Sequence, residues 1–124
     1  MRIDMEGATG NWMRKCFGTS PELLALKSSV TERVARIVEE MTELAQAEGL
    51  TRDEVMRLVD DVYVREIGDP RQELGGVMIC LAAYAHTKSF NLEEEWRKEF
   101  ARISHPDKIE RIRARQDTKF HVVR

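Results

Sequence analysis

Residues 30–48 read Val-Thr-Glu-Arg-Val-Ala-Arg-Ile-Val-Glu-Glu-Met-Thr-Glu-Leu-Ala-Gln-Ala-Glu, and this stretch decides the fold class. Val30, Val34, Ile37, Met41 and Leu44 recur at steps of three and four, the period of one helical face. Ser29 and Glu32 have capping-box spacing ahead of it, and Gly49 is placed to end it. The spacing predicts an amphipathic helix over about 30–48 with the apolar stripe turned inward.

The same signals repeat downstream. Thr51-Arg-Asp-Glu54 is a second capping box, opening a helix over about 52–66 with Val55, Leu58, Val59 and Val62 inward. Gly68-Asp69-Pro70 makes a turn. The helix that follows, about 71–88, contains the run from Val77 to Ala85; apolar on nearly every side, it is expected to be central and the most buried. Asn91 with Glu94 opens a helix to about Ile103, with Trp96 and Phe100 on a core-facing side. Ser104-His105-Pro106-Asp107 breaks it and begins the last helix, about 107–117.

Upstream, Ser20-Pro21-Glu22 is the start of a short helix to about Lys27. Trp12, Met13 and Phe17 mark a further short helix within an N-terminal extension, residues 1–18, which packs on this chain or on a partner subunit. No stretch alternates with period two, so no sheet is expected. The reading is all-α: an antiparallel bundle of about five helices.

The chain has 124 residues, which suits one domain, 1–124. With 42% hydrophobic and 34% charged residues it can bury a core, which argues against wholesale disorder. The longest apolar run is far short of the ~20 residues that span a bilayer, and residues 1–7 lack the apolar region of a signal peptide. Cys16 and Cys80 make no disulfide framework, so a reduced, cytoplasmic setting is expected. His86, His105 and His121 lack zinc-type spacing; His86 reads as a core or interface group and Cys80 as inert packing.

The formal net charge of −2 hides an asymmetry. Residues 1–95 carry 11 Lys and Arg against 18 Asp and Glu, a balance of −7; residues 96–124 carry 9 against 4, a balance of +5. An acidic body argues against a nucleic-acid partner, because most of the surface would repel phosphates.

Glu39-Glu40-Met-Thr-Glu43 is the sharpest feature of the body. Residues three apart on a helix are neighbours, so Glu40 and Glu43 point the same way, Glu40 at the edge of the apolar stripe beside Leu44. Paired carboxylates either face water or share a divalent cation, and Mg²⁺ takes hard oxygen ligands. Glu73 precedes the most apolar run, near the positive pole of its helix. Gly75 and Gly76 follow it; each costs about 0.5–1 kcal/mol in a helix interior, which implies close helix contact or room for a ligand.

A Glu-Glu-x-x-Glu helix followed by a Glu-x-x-Asp helix resembles the all-α NTP pyrophosphohydrolase superfamily, which includes MazG-like proteins, dimeric dUTPases and phosphoribosyl-ATP pyrophosphohydrolases. The first motif is complete in Glu39-Glu40-Met-Thr-Glu43; the second is partial in Glu73-Leu74-Gly75-Gly76, with Gly76 where the family usually has Asp. The resemblance covers about residues 30–119 and makes 30–88 the metal-binding helices. It implies Mg²⁺ (or Mn²⁺) held by Glu40, Glu43 and Glu73, with Glu39 a further ligand or the group that orients or deprotonates the attacking water. The implied substrate is a (d)NTP or related nucleotide, cleaved to the monophosphate and pyrophosphate. The basic C-terminal segment, 104–124, would supply Arg111, Arg113, Arg115 and Lys119 to the phosphates or leave them solvated. The resemblance also implies a homodimer or homotetramer with the site near an interface.

Gly76 leaves three outcomes open: water fills the missing ligand's place; Asp60, Asp61 or Asp69 reaches in; or the site is degenerate and the chain is a helical nucleotide-binding or regulatory module.

Overall fold

The computed structural model describes residues 3–18, 29–116 and 122. The described residues form six helices and no strand: α1 (Met5–Phe17), α2 (Val30–Ala47), α3 (Arg52–Tyr63), α4 (Pro70–Lys88), α5 (Leu92–Ile103) and α6 (Pro106–Gln116). The all-α expectation holds. The short helix expected over 21–27 lies outside the described residues.

The caps behave as the sequence indicates. Ser29 Oγ accepts from the Glu32 amide at 3.1 Å. The Thr51–Glu54 box is reciprocal, Thr51 N–H donating to the Glu54 carboxylate at 2.9 Å and Glu54 N–H to Thr51 Oγ1 at 3.2 Å. Asp69 caps α4, with Pro70 in its first turn, and Asn91 caps α5. Gly49 ends α2 at φ +90°, a conformation that glycine adopts without a Cβ penalty. His105 Nδ1 accepts from the Asp107 amide at the start of α6. One boundary moves: α3 stops at Tyr63 rather than near 66. Val62, Tyr63 and Val64 are poor helix formers, and all three are exposed, so no packing offsets their propensity.

The chain divides into two compact units, Met1–Leu44 with Phe100–Arg124, and Ala45–Glu99. The first carries 13 Lys and Arg against 10 Asp and Glu, the second 7 against 12, so one is net +3 and the other net −5.

In the basic unit α1 packs against α6. Trp12 Nε1 donates to the Ile103 carbonyl at 2.8 Å, and Trp12 meets Phe17 edge-on at 6.0 Å. The N-terminal helix thus finds partners within its own chain. Cys16, Phe17 and Glu32 are buried. Arg33 lies over the Phe17 ring at 4.7 Å, and Arg36 pairs with Glu32 at 3.2 Å.

This corrects the inward stripe of α2. Glu32 is 1% exposed, whereas Val30 is 81%, Val34 51%, Ile37 47% and Met41 46% exposed. At ~100° per residue Glu32 lies on the side away from that stripe. The physical reason is α1: its Phe17 engages Arg33 and so takes the polar side of α2.

In the acidic unit the long apolar helix is not the buried centre it was expected to be. Ala85 alone among its described residues is buried; Val77, Leu81 and Tyr84 are half-buried, while Leu74, Met78, Ile79, Cys80 and His86 are exposed. In residues 45–99 only the end of α2, α3 and the start of α5 accompany α4, and they leave much of its surface uncovered. Cys80 is therefore a free, exposed thiol and His86 a surface group. The inner side of α4 is tied by Tyr84, whose hydroxyl donates to Glu48 at 2.7 Å, and by Lys88, which pairs with Glu48 at 3.2 Å.

Candidate metal and phosphate site

Glu39, Glu40 and Glu43 sit on α2 in the basic unit, and Glu73 in the first turn of α4 in the acidic unit. Glu39 is fixed from below: its carboxylate accepts from the Arg36 guanidinium at 2.9 Å, and the same guanidinium pairs with buried Glu32. A three-member chain of charge, Glu32–Arg36–Glu39, therefore sets one carboxylate at the surface of the helix. Glu40 and Glu43, three residues apart, are exposed. Glu43 makes no ion pair with any described residue. The repulsion expected between two such neighbours is moderated by water at an exposed face.

Glu73 is exposed, and its carboxylate folds back towards Gly68. A Cβ built at Gly68 would stand 2.7 Å from Glu73 Oε1, so the glycine leaves the space this carboxylate occupies. Around Gly75 and Gly76 the surroundings are open: a Cβ at either meets nothing within 4 Å. Among the described residues of the acidic unit no neighbouring helix presses on the glycines.

The acids proposed to stand in at Gly76 are differently engaged. Asp69 caps α4 by accepting from the Arg71 amide at 2.8 Å, and Asp61 pairs with Arg57 at 3.2 Å. Asp60 is exposed. Among the described residues no three His, Cys, Asp or Glu side chains are gathered into a cation-holding group.

The basic segment divides in the same way. Arg113 reaches across to α1, its Nε donating to the Lys15 carbonyl at 2.9 Å with a second contact from Nη2 to the same oxygen. It satisfies a carbonyl that the last turn of α1 leaves without an intrahelical partner. Arg111 and Arg115 are exposed, and Lys119 lies outside the described residues, as does His121.

Two clusters had weak signals in the sequence. Glu32 and Arg36 have the i, i+4 spacing of a helical ion pair, but nothing local announces its burial. Glu48 and Tyr84 are 36 residues apart and carry no shared motif. The hydrogen bond from Tyr84, and then that from Lys88, holds the Glu48 carboxyl below its usual range and pushes the Tyr84 phenol up. In the basic unit burial pushes the Cys16 thiol up, against the pull of nearby Arg113, so it is a poor nucleophile.

Among the described residues no helix is long and apolar enough to cross a membrane. Comparison of the chain with family models, with curated proteins and with solved structures finds no match.

Proposed function

We propose that the chain is a metal-dependent nucleotide pyrophosphohydrolase that converts a (d)NTP or related nucleotide to the monophosphate and pyrophosphate in a cytoplasmic setting. The observation that carries this reading is the face of α2: Glu40 and Glu43 exposed one turn apart, beside a Glu39 held by Arg36 at 2.9 Å.

Mg²⁺ and Mn²⁺ take hard oxygen ligands, which the carboxylates of Glu40 and Glu43 would supply. Glu40 and Glu43 would hold the cation from α2. A divalent cation there neutralises charge on the phosphates. Glu39, oriented by Arg36, positions the attacking water and accepts its proton. Arg111, Arg115 and Lys119 meet the phosphates beyond the cation, while Arg113 keeps α1 in place. The substrate is the free nucleotide rather than nucleic acid, and the working form is a homodimer or homotetramer.

The test is pyrophosphate release from a nucleotide panel with each metal. Turnover is expected, falling roughly a hundredfold or more in Glu40→Ala and in Glu43→Ala, the scale on which loss of charge stabilisation is read. No turnover with any nucleotide under either metal overturns the reading.

Gly76 favours a second reading, a nucleotide-binding or regulatory module without catalysis. Nothing lies within 4 Å of a Cβ there, so Gly76→Asp is sterically free. Activity that appears only in Gly76→Asp would identify a decayed site.

A further inference from the structure

Among the described residues Glu32 is the buried charged side chain, and the hydrolase reading gives it no role. Stability alone does not account for it. A buried ion pair replaced by apolar side chains of similar volume often leaves a fold as stable or more so. What the pair does provide is a fixed point on α2, four residues from an arginine that faces the other way.

Side-chain exposure rises along this row of charges: Glu32 is 1% exposed, Arg36 15% and Glu39 38%. The two contacts of Arg36 use different nitrogens. Nε meets the Glu32 carboxylate at 3.2 Å, and Nη1 donates to Glu39 at 2.9 Å. One flat guanidinium thus spans two carboxylates, one inside the basic unit and one near its surface. A lysine, with a single nitrogen on a flexible stem, would not fix both.

The outer pair is too weak to fix Glu39 by itself. Near the surface an i, i+3 ion pair adds little, and an arginine side chain samples many rotamers. The inner pair supplies the anchor, because attraction between charges strengthens where water is excluded. Part of that exclusion comes from α1. Phe17 is buried, and its ring lies 4.7 Å from the guanidinium of Arg33, the residue next to Glu32.

We infer that Glu32 is a positioning residue: held inside the unit, it anchors Arg36, and through Arg36 it sets the Glu39 carboxylate in one orientation. The catalytic use of that orientation rests on the hydrolase reading, in which Glu39 meets the attacking water. Glu32 itself touches neither substrate nor cation.

The variant that separates position from stability is Glu32→Leu/Arg36→Met in the full chain. It removes both charges, so it should keep the helicity of the parent while Glu39 loses its anchor. With the nucleotide and metal that give turnover, kcat is expected to fall roughly tenfold or more, as for a misplaced catalytic group. KM, and the affinity for Mn²⁺ titrated without nucleotide, should stay within about twofold, because Glu40 and Glu43 are untouched. A folded double variant with the parent's kcat overturns the role, and so does a loss of Mn²⁺ affinity that matches the loss of kcat. The Arg36 Nε–H resonance of the chain without metal gives a reading that needs neither turnover nor the double variant. It is expected to exchange slowly with water in the wild type and in Glu39→Gln, and fast in Glu32→Gln. Fast exchange in the wild type, or slow exchange that survives Glu32→Gln, overturns the anchor even if the double variant fails to fold. A wild type that turns over no nucleotide, yet shows the anchored resonance, sinks the hydrolase reading and leaves the anchor standing.

Discussion

In the unit formed by residues 1–44 and 100–124 the most buried side chain is a glutamate; in the unit formed by residues 45–99 the buried described side chain is an alanine. The first unit closes on a charged group that needs partners at fixed distances. Glu32 meets Arg36 at 3.2 Å, and Arg33 lies over Phe17. The second unit rests on helix caps and on one surface latch, Tyr84–Glu48–Lys88, while its most apolar helix leaves Leu74, Met78 and Ile79 in water. Composition alone would assign these roles the other way round. Where a helix is packed depends on which neighbour reaches it first, and α1 reaches the polar side of α2.

The largest effect is expected at Glu32. Glu32→Ala leaves Arg36 and Arg33 in a part-buried site without the carboxylate, and breaking a buried pair from one side costs about 3–5 kcal/mol. Burial already holds the Arg33 guanidinium below its usual range, with Glu32 pulling it back up. The double variant Glu32→Leu/Arg36→Met removes both charges and should recover most of the loss. Denaturant unfolding followed through Trp12 in a Trp96→Phe background reads this unit, because Trp96 lies in the other. A small effect of Glu32→Ala would mean that the basic unit does not rest on its charged centre, and the contrast between the units would fail.

A smaller effect, of opposite sign, is expected in the acidic unit. At Gly75 a Cβ meets nothing within 4 Å. Gly75→Ala should therefore stabilise α4 by about 0.5–1 kcal/mol through lost freedom of the unfolded chain. Thermal unfolding at two protein concentrations checks it. Destabilisation that grows with concentration would show that a second copy covers this face of α4, making the acidic unit better packed than it stands alone.

The local features of the fold were legible. Thr51–Glu54, Asp69–Pro70, Asn91–Glu94 and Gly49 sit where spacing put them, because a cap is decided by residues three or four apart. The facing of α2 and α4 was not legible. Periodicity says that a stripe exists; only long-range contacts, such as Trp12 to Ile103 across 91 residues, say what meets it. The candidate site divides similarly. The spacing of Glu39, Glu40 and Glu43 was readable, but the grip of Arg36 on Glu39 needed the coordinates, and Arg113 gave no sign that it serves α1.

The latch on the acidic unit gives the gentlest test, through pH. The Glu48 carboxyl is depressed by the Tyr84 hydrogen bond first and the Lys88 one second. A depressed carboxyl contributes stability that is present above its unfolded pKa, about 4.3, and is lost as pH falls through the folded value. The Tyr84 phenol is raised by the same hydrogen bond. A raised phenol contributes stability that is complete below its unfolded pKa, about 10, and is lost as pH rises through the folded value. Tyr84→Phe should therefore flatten the stability profile at both ends and leave its neutral plateau lower. Absorbance titration of the phenols gives an independent reading. If Tyr84→Phe removes no late-titrating phenol and leaves the acid limb unchanged, the latch does not hold in solution. The acidic unit would then rest on its caps alone, and the contrast with the charge-centred basic unit would widen.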